Sequence, residues 1–326
     1  MSDFISIGDS TIDNYLQIHD AQVKCNLDKT QCMICVKFGE KIPVDKLFHH
    51  VAGNAANSSI GASRLKLKSA IYTNIGSDAS GVQIKEKLLK EGIDTKYVVE
   101  NNGESNMSTV LTFQGERTIF VYHQDWRYKL PDLTGARWIY FTSLGPSFSE
   151  SNILHQIEEY LERKGAKMLY SPGTYQIKYG VKKVPRLLVL SEVFIVNIEE
   201  AKRVLNYEEE ENVPVKKLLK KISDLGPKIV VLTDAEKGSY AYDGETYYHI
   251  SSFPANLIEM TGAGDAYATG LLCGLFYGKD LKEAMRWGAA NGASVVEHVG
   301  PHMGLLTLTG MKERLKANSK ITASVI

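Results

Sequence analysis

Strand-like and helix-like segments alternate along most of this chain, and that alternation restricts its fold more than any other feature. Short apolar runs such as FISIG (4–8), SAIYTNIG (69–76) and KIVVLT (228–233) are typical of buried strands. Amphipathic segments separate them, for example SGVQIKEKLLKEG (80–92), which ends at a glycine. Because parallel neighbours need a helical crossover, the pattern predicts an α/β fold with a doubly wound, mostly parallel sheet and helices on both faces.

Two β-rich stretches interrupt the alternation. Residues 15–42 alternate like β structure between the first strand and the first helix. Residues 106–123 are typical of a hairpin, with QGER as its turn. We therefore predict a single α/β domain over residues 1–326, with a small β-sheet lid built from insertions 15–42 and 103–126. A surface decoration without a lid function is the alternative.

The composition of the chain limits which classes of molecule it is expected to bind. Of the 326 residues, 44% are hydrophobic, which is enough for a sizeable core, and Lys+Arg and Asp+Glu both number 38. This balance gives no basic surface for nucleic acid and no polybasic patch for a membrane. The start, MSDFISIGDS, lacks the basic and apolar regions of a secretory signal. We expect a cytoplasmic protein whose partners are small molecules.

Four cysteines occur, at Cys25, Cys32, Cys35 and Cys273. An intracellular chain keeps its thiols reduced, so we expect structural, unpaired cysteines. The spacing of the first three is the alternative basis for a zinc site, but no fourth ligand is evident nearby.

A glycine-rich turn precedes a helix near the end of the chain, in EMTGAGDAYATG (259–270). Backbone amides of Gly262, Ala263 and Gly264 at a helix N-terminus form an anion site that suits phosphate. The stretch lacks the lysine of a P-loop and the third glycine of a dinucleotide fingerprint. Asp265 in this site is suited to take a proton from a hydroxyl that attacks phosphorus. A simple helix cap is the alternative role.

TGAGDAYATG resembles the second signature of the ribokinase-like, or PfkB, sugar and nucleoside kinases. AGNAANSSIGASRLK (52–66) resembles the first signature, with Gly53, Asn57 and Arg64 in place. NIGSDASG, NIEEA and VVLTDAEKGSYAY resemble further family motifs in the expected order, so that the resemblance covers residues 4–308. It implies a ribokinase-like fold and phosphoryl transfer from ATP, with Mg²⁺, to a hydroxyl of a small sugar.

The resemblance also implies the site residues. The acceptor site would be formed by Asp13, Gly53, Asn54 and Asn57, and the reaction centre by the base Asp265 and the anion hole Gly262, Ala263 and Gly264. The nucleotide site would be formed by Asn197, Glu200, Thr233, Gly238 and Asn291, with Glu200 reaching Mg²⁺ through water.

Departures from the family pattern leave some properties open. Glu259 stands where the family often has the aspartate of a monovalent cation site, so it is a doubtful ligand for K⁺. Ala52 and Lys66 replace glycines of the first signature. A nucleoside acceptor is the alternative to a sugar, since aromatic residues of the lid segments could stack on a base.

Two hypotheses lie outside the sugar and nucleoside kinases. A non-catalytic ligand sensor could be built on the same fold, although such a protein would have no need of the base. A dinucleotide oxidoreductase has little support, because the fingerprint is missing. For the assembly, an exposed lid sheet predicts a homodimer through the lid.

Overall fold

A computed structural model describes residues 2–26, 32–114 and 116–326. The strands in this part of the chain are β1 (Ser2–Ile7), β2 (Thr11–Gln17), β3 (Gln22–Cys25), β4 (Cys32–Cys35), β5 (Lys46–Ala52), β6 (Ser69–Gly76), β7 (Asp94–Asn101), β8 (Met107–Phe113), β9 (Glu116–Tyr122), β10 (Ala136–Phe141), β11 (Lys167–Tyr170), β12 (Ser191–Asn197), β13 (Ile229–Thr233), β14 (Ser239–Tyr242), β15 (Tyr247–Ile250) and β16 (Ser324–Val325).

The helices described are α1 (Asn54–Arg64), α2 (Ala79–Lys90), α3 (Ile153–Lys164), α4 (Thr174–Tyr179), α5 (Pro185–Val189), α6 (Ile198–Leu205), α7 (Val215–Ser223), α8 (Ala263–Phe276), α9 (Leu281–Val295) and α10 (Leu308–Ala317). Among the described residues, none of these helices is long and apolar enough to cross a membrane.

Ten strands form one large sheet in the order β16-β15-β14-β13-β12-β11-β10-β1-β6-β7. The seven strands from β13 to β7 are parallel, and the three beyond β13 are antiparallel. The chain leaves β1 towards β6 on one side and later returns to β10 on the other. The predicted doubly wound, mostly parallel sheet is therefore confirmed, and ligands of such sheets bind at this kind of switch point.

Side chains on both faces of the large sheet are covered, which explains why its strands are almost continuously apolar. Ile5 and Ile7 of β1 pack in a cluster with α3, α5, α6 and α7. Phe4, on the other face of the same strand, packs in a cluster with α8, α9 and α10. The parallel strands are thus held between two helical layers.

A smaller sheet has the order β5-β2-β8-β9. Its central pair, β2 and β8, is parallel, and the outer pairs are antiparallel. Strands of this sheet extend beyond the predicted insertion 15–42 at both ends, since β2 begins at Thr11 and β5 spans Lys46–Ala52. The segment KLFHHVA carries a weak strand signal, because it does not alternate regularly and its first four residues are exposed; β2 is its strand partner. Residues 27–31 of that insertion and Gly115 of the QGER turn lie outside the described residues.

The cysteine expectation was wrong for one pair. Strands β3 and β4 are antiparallel neighbours, and their register sets Cys25 directly opposite Cys32, where the two form a disulfide. Cys35 and Cys273 are free thiols. With two of the three candidate zinc ligands joined, and no cluster of three metal-binding side chains among the described residues, the zinc alternative has no support.

Candidate active site

Asp265 lies in the first turn of α8, behind a turn that requires glycine. Gly262 has a φ of 82°, and an added Cβ would lie 2.7 Å from a Pro301 side-chain atom. A Cβ on Gly264 would meet no atom within 4 Å, so that side of the turn is open. The Ala263 amide donates to the Met260 carbonyl at 3.3 Å, whereas the first-turn amides of Gly264 and Asp265 have no acceptor within the helix. The helix terminus therefore offers amides to an anion.

The carboxylate of Asp265 is held by three donors from two other elements. Asn54 Nδ2 and the Tyr140 hydroxyl donate to Oδ1 at 3.0 and 3.2 Å, and Asn57 Nδ2 donates to Oδ2 at 2.8 Å. The side chain is only 7% exposed, and this burial raises the pKa of Asp265 to about 6 against the lowering effect of the hydrogen bonds. At neutral pH it is an ionised carboxylate of raised basicity, and Oδ2 retains a lone pair for a further donor.

Both asparagines make a second hydrogen bond through their Oδ1 atoms. The Ser143 hydroxyl donates to Asn54 Oδ1 at 2.8 Å. His302 Nε2 lies 2.7 Å from Asn57 Oδ1. Tyr140, Ser143 and His302 were missed at the sequence level, because each comes from a segment without a motif.

The predicted acceptor residues gather at the end of β1. Gly53 has a φ of 93°, and an added Cβ would lie 2.6 Å from the Asp9 carbonyl oxygen, so the start of α1 packs directly on the β1–β2 connection. Asp13, in β2, is buried and accepts the Thr11 hydroxyl at 2.9 Å. Burial raises the pKa of the Asp13 carboxyl. The structure thus places Asp13, Gly53 and the two asparagines at one end of the large sheet.

An arginine of the small sheet reaches the turn before α8. Arg117 Nη1, from β9, lies 2.9 Å from Glu259 Oε1 and donates to the Thr261 hydroxyl at 2.8 Å. The Thr261 amide donates to the same Glu259 oxygen at 2.7 Å. The charge of Glu259, the doubtful K⁺ ligand, is therefore compensated by a guanidinium.

The predicted nucleotide residues divide into two groups. Asn197 and Glu200 cap each other at the start of α6, with hydrogen bonds of 2.7 and 2.9 Å, and Thr233 is the register partner of Asn197 on the adjacent strand. Gly238 has a φ of 89° in the turn that follows. Asn291, by contrast, is fully buried: Nδ2 donates to the Ala266 carbonyl at 2.7 Å and Oδ1 accepts the Leu306 amide at 3.0 Å. Its carboxamide fastens α9 to α8.

The donor set at α6 suits Mg²⁺. Burial raises the pKa of the Glu200 carboxyl, and the negative charge of Glu200 is a minor cause of the raised pKa of Asp265. Among the described residues no group of three metal-binding side chains occurs. Mg²⁺ usually keeps several waters and binds through one or two carboxylates together with nucleotide phosphates, so a single carboxylate at this position fits it.

A second buried carboxyl, Asp9, lies at the end of β1 and was not predicted. It accepts the Tyr128 hydroxyl at 2.7 Å on Oδ1, and its Oδ2 lies 3.8 Å from His123 Nδ1. Neither Oδ2 nor that nitrogen has a hydrogen-bond partner among the described residues. Burial raises the pKa of Asp9 to about 7. A charged residue directly after a buried strand was the only signal that could have pointed to it.

Comparison with known proteins assigns the family. A model described as "pfkB family carbohydrate kinase" matches residues 20–307. An ATP-dependent 6-phosphofructokinase of Thermoanaerobacterium thermosaccharolyticum is 26% identical over 295 residues, which cover 86% of this chain and 89% of the relative.

Two solved structures are similar in fold. A nucleoside kinase of Methanocaldococcus jannaschii has a TM-score of 0.77 at 20% identity and covers 97% of this chain and 99% of its own. The Arabidopsis thaliana ribokinase complexed with ribose and ATP has a TM-score of 0.78 at 20% identity, with the same coverage of 97% and 99%. The chain belongs to the pfkB family of carbohydrate kinases, and it is a phosphotransferase that acts on a hydroxyl group.

Proposed function

We propose that this pfkB-family kinase transfers the γ-phosphoryl group of ATP to a hydroxyl of a small sugar, with Asp265 as the general base. The observation that carries the proposal is the buried Asp265 carboxylate at an open helix N-terminus, with a pKa raised to about 6. Such a group is ionised at neutral pH and still basic enough to accept a proton in the transition state. The neighbouring amides are suited to the charge on the transferring phosphoryl group.

In the proposed reaction, the acceptor hydroxyl donates its hydrogen bond to Asp265 Oδ2, which accepts from Asn57 alone within the part of the chain that the structure describes. As the hydroxyl oxygen attacks phosphorus, its proton passes to this carboxylate and the bond to the leaving ADP oxygen breaks. Amides of the Gly262–Gly264 turn steady the phosphoryl oxygens; the Ala263 amide would first have to leave the Met260 carbonyl. Asp13, Gly53, Asn54 and Asn57 bind the acceptor.

The sheet order supports separate sites for acceptor and nucleotide. β1 ends beside Asp9 and the acceptor residues, and β12 ends at Asn197, three strand positions away. At about 4.8 Å per strand, this separation is about 14 Å. Tyr140, which contacts Asp265, comes from β10 between them. Thr233 and Gly238 line the nucleotide side, and we retain Asn291 as part of its support.

Mg²⁺ is proposed to bind with ATP, held through water by Glu200 beside Asn197. When bound, it neutralises charge on the nucleotide phosphates. We do not include K⁺ as a requirement, because Arg117 already compensates Glu259.

A sugar is favoured over a nucleoside by the placement of the aromatic residues of the lid segments. Tyr15 and Trp126 are only 4% and 5% exposed and pack inside the protein, whereas Phe38 is fully exposed. Tyr122, on β9, is also exposed. The residues proposed to bind the acceptor are instead carboxylate and carboxamide groups, which suit a polyhydroxyl ligand. A nucleoside remains the alternative acceptor.

The test of the base is the variant Asp265→Asn, which removes the proton acceptor with little change in volume. We expect its kcat to fall at least about a hundredfold, while nucleotide binding measured by calorimetry stays within a few-fold of wild type. Glu199→Gln, an acidic neighbour of the proposed Mg²⁺ residue at the start of α6, serves as the control. Near-normal kcat for the Asp265 variant would refute the role of base.

A further inference from the structure

We propose that His302 is a positioning residue for the general base: its imidazole N–H fixes the orientation of the Asn57 carboxamide, which in turn aims an N–H at Asp265. The inference rests on the proposed role of Asp265 and extends it to a residue that touches neither the proposed acceptor nor the phosphoryl group. The supporting observations are a continuous chain of hydrogen bonds from His302 through Asn57 to Asp265 and the burial of these three residues.

The direction of each hydrogen bond in the chain is fixed by elementary chemistry. An ionised carboxylate only accepts, so Asn57 must turn Nδ2 towards Asp265, 2.8 Å away. Its Oδ1 then points to His302 Nε2 at 2.7 Å. Because Oδ1 is an acceptor, Nε2 must carry the proton. His302 is therefore required in the Nε2–H form, and this form excludes the opposite orientation of the carboxamide.

The surroundings keep His302 neutral and in place. It is 5% exposed and faces the cations Arg64 and Lys87 together with Glu91 and His50. Burial, followed by the two cations, lowers the pKa of His302 to about 3. Arg64 also donates to the His302 carbonyl oxygen, which fixes the backbone at this position. The imidazole consequently does not titrate in the range in which Asp265 does.

Ser143, which donates to Asn54, cannot fix the orientation of that carboxamide in the same way. The Ser143 hydroxyl donates to Asn54 Oδ1, but a hydroxyl also accepts, so it tolerates either orientation of that carboxamide. Without the His302 N–H, the Asn57 carboxamide is free to turn its oxygen towards the carboxylate. An amide oxygen that faces Asp265 repels its negative charge, as Glu200 does, and leaves Tyr140 and Asn54 as the remaining donors among the described residues. These changes favour the protonated form of Asp265.

Loss of the His302 N–H should therefore shift the acid limb of the pH profile of kcat/KM. Wild-type kcat/KM is expected to fall below about pH 6, as Asp265 becomes protonated. In His302→Ala that limb is expected to move up by about one pH unit, so that activity at pH 6.5 drops several-fold while the plateau at pH 9 changes less. His302→Gln, whose amide can still donate to Asn57, is expected to restore most of the wild-type profile.

The experiment measures kcat and KM from pH 5 to 9 for wild type, both His302 variants and His298→Ala, with thermal melting to check folding. His298, whose ring lies against the Ser294 carbonyl, is the matched control and should behave as wild type. An unshifted acid limb in His302→Ala, or the same fold-loss at every pH, would overturn the proposal. Inactive wild type, or an active Asp265→Asn variant, would instead defeat the proposed function.

A measurement on wild type keeps the proposal falsifiable if His302→Ala does not fold. Nitrogen-15 NMR of labelled histidines should show one ring that stays neutral from pH 5 to 9, with the proton on Nε2. It should be identified by its loss in His302→Gln. A proton on Nδ1, or titration of that ring near pH 6.5, would contradict the inference.

Discussion

At the scale of single residues, burial raises the pKa of two carboxyl groups at this site, with different consequences for each. Asp265 and Asp9 are both enclosed, and desolvation is the largest cause of the raised pKa of each. They differ in their partners, since Asp265 has both oxygens bonded whereas Asp9 leaves Oδ2 without a partner among the described residues. A fully bonded carboxylate is fit for repeated proton transfer, while a half-bonded one reduces stability once it is ionised.

Asp9→Asn tests this cost. The pKa of Asp9 is raised from 3.8 to about 7 in the folded protein, so its contribution to stability is complete below about pH 4 and is lost as the pH rises through 7. The variant cannot ionise and can still accept from Tyr128 on Oδ1. We expect urea unfolding at pH 8 to give a free energy about 1–3 kcal/mol above wild type, and a much smaller difference at pH 4.5.

The control for that measurement is Asp132→Asn, whose side chain is 91% exposed. It should leave the free energy of unfolding nearly unchanged at both values of pH. An Asp9 variant that is no more stable than wild type at pH 8 would show that ionised Asp9 carries no penalty.

Local patterns in the sequence pointed to Asp265 and its turn, but not to the residues that orient it. The turn is a run of consecutive small residues at a helix start, so its chemistry can be read locally. Tyr140 and His302 meet the site only through the fold, with Tyr140 lying 125 positions from Asp265 and His302 lying 245 positions from Asn57. A single tyrosine in an apolar strand, or one histidine in a loop, carries no signal of such contacts.

At the scale of elements, the small sheet is joined to the turn before α8 by the Arg117–Glu259 ion pair. The parallel pairing of β2 and β8 and the strand β5 could not be derived from the sequence, because both depend on chain segments that meet only in the fold. The large sheet was predictable, since its strands are apolar runs buried on both faces. We propose that the small sheet is a lid over the acceptor site and that Arg117 holds it closed. A homodimer formed through the exposed apolar surface of this sheet stays a prediction.

Arg117→Ala tests the lid. Loss of the ion pair and of the Thr261 hydrogen bond should let β9 move away from the turn, and we expect the KM of the acceptor to rise about three- to tenfold. The KM of ATP should change little, since the proposed nucleotide residues lie on β12, β13, α6, α9 and the turn before β14, outside the small sheet. Arg127→Ala, an exposed arginine just after β9, is the matched control. An unchanged acceptor KM for Arg117→Ala would leave the small sheet as a surface decoration.

At the scale of the whole molecule, the order of strands sets the order of the reaction partners. The proposed acceptor residues lie near the end of β1, most of the proposed nucleotide residues lie near the ends of β12 and β13, and Asp265 is hydrogen-bonded to Tyr140 of β10 between them. This arrangement follows from a parallel sheet in which every strand ends at the same edge. The same fold with the base removed could only bind ligands, so catalysis is the property that distinguishes our account from a ligand sensor.

The most direct test is transfer of labelled phosphate. Wild type and Asp265→Asn are incubated with Mg²⁺, γ-labelled ATP and a panel of sugars, sugar phosphates and nucleosides, and the products are separated and identified. Our account predicts label on a hydroxyl of at least one sugar with wild type, and about a hundredfold less with the variant. Equal transfer by both proteins, or labelled product from nucleosides alone, would contradict it.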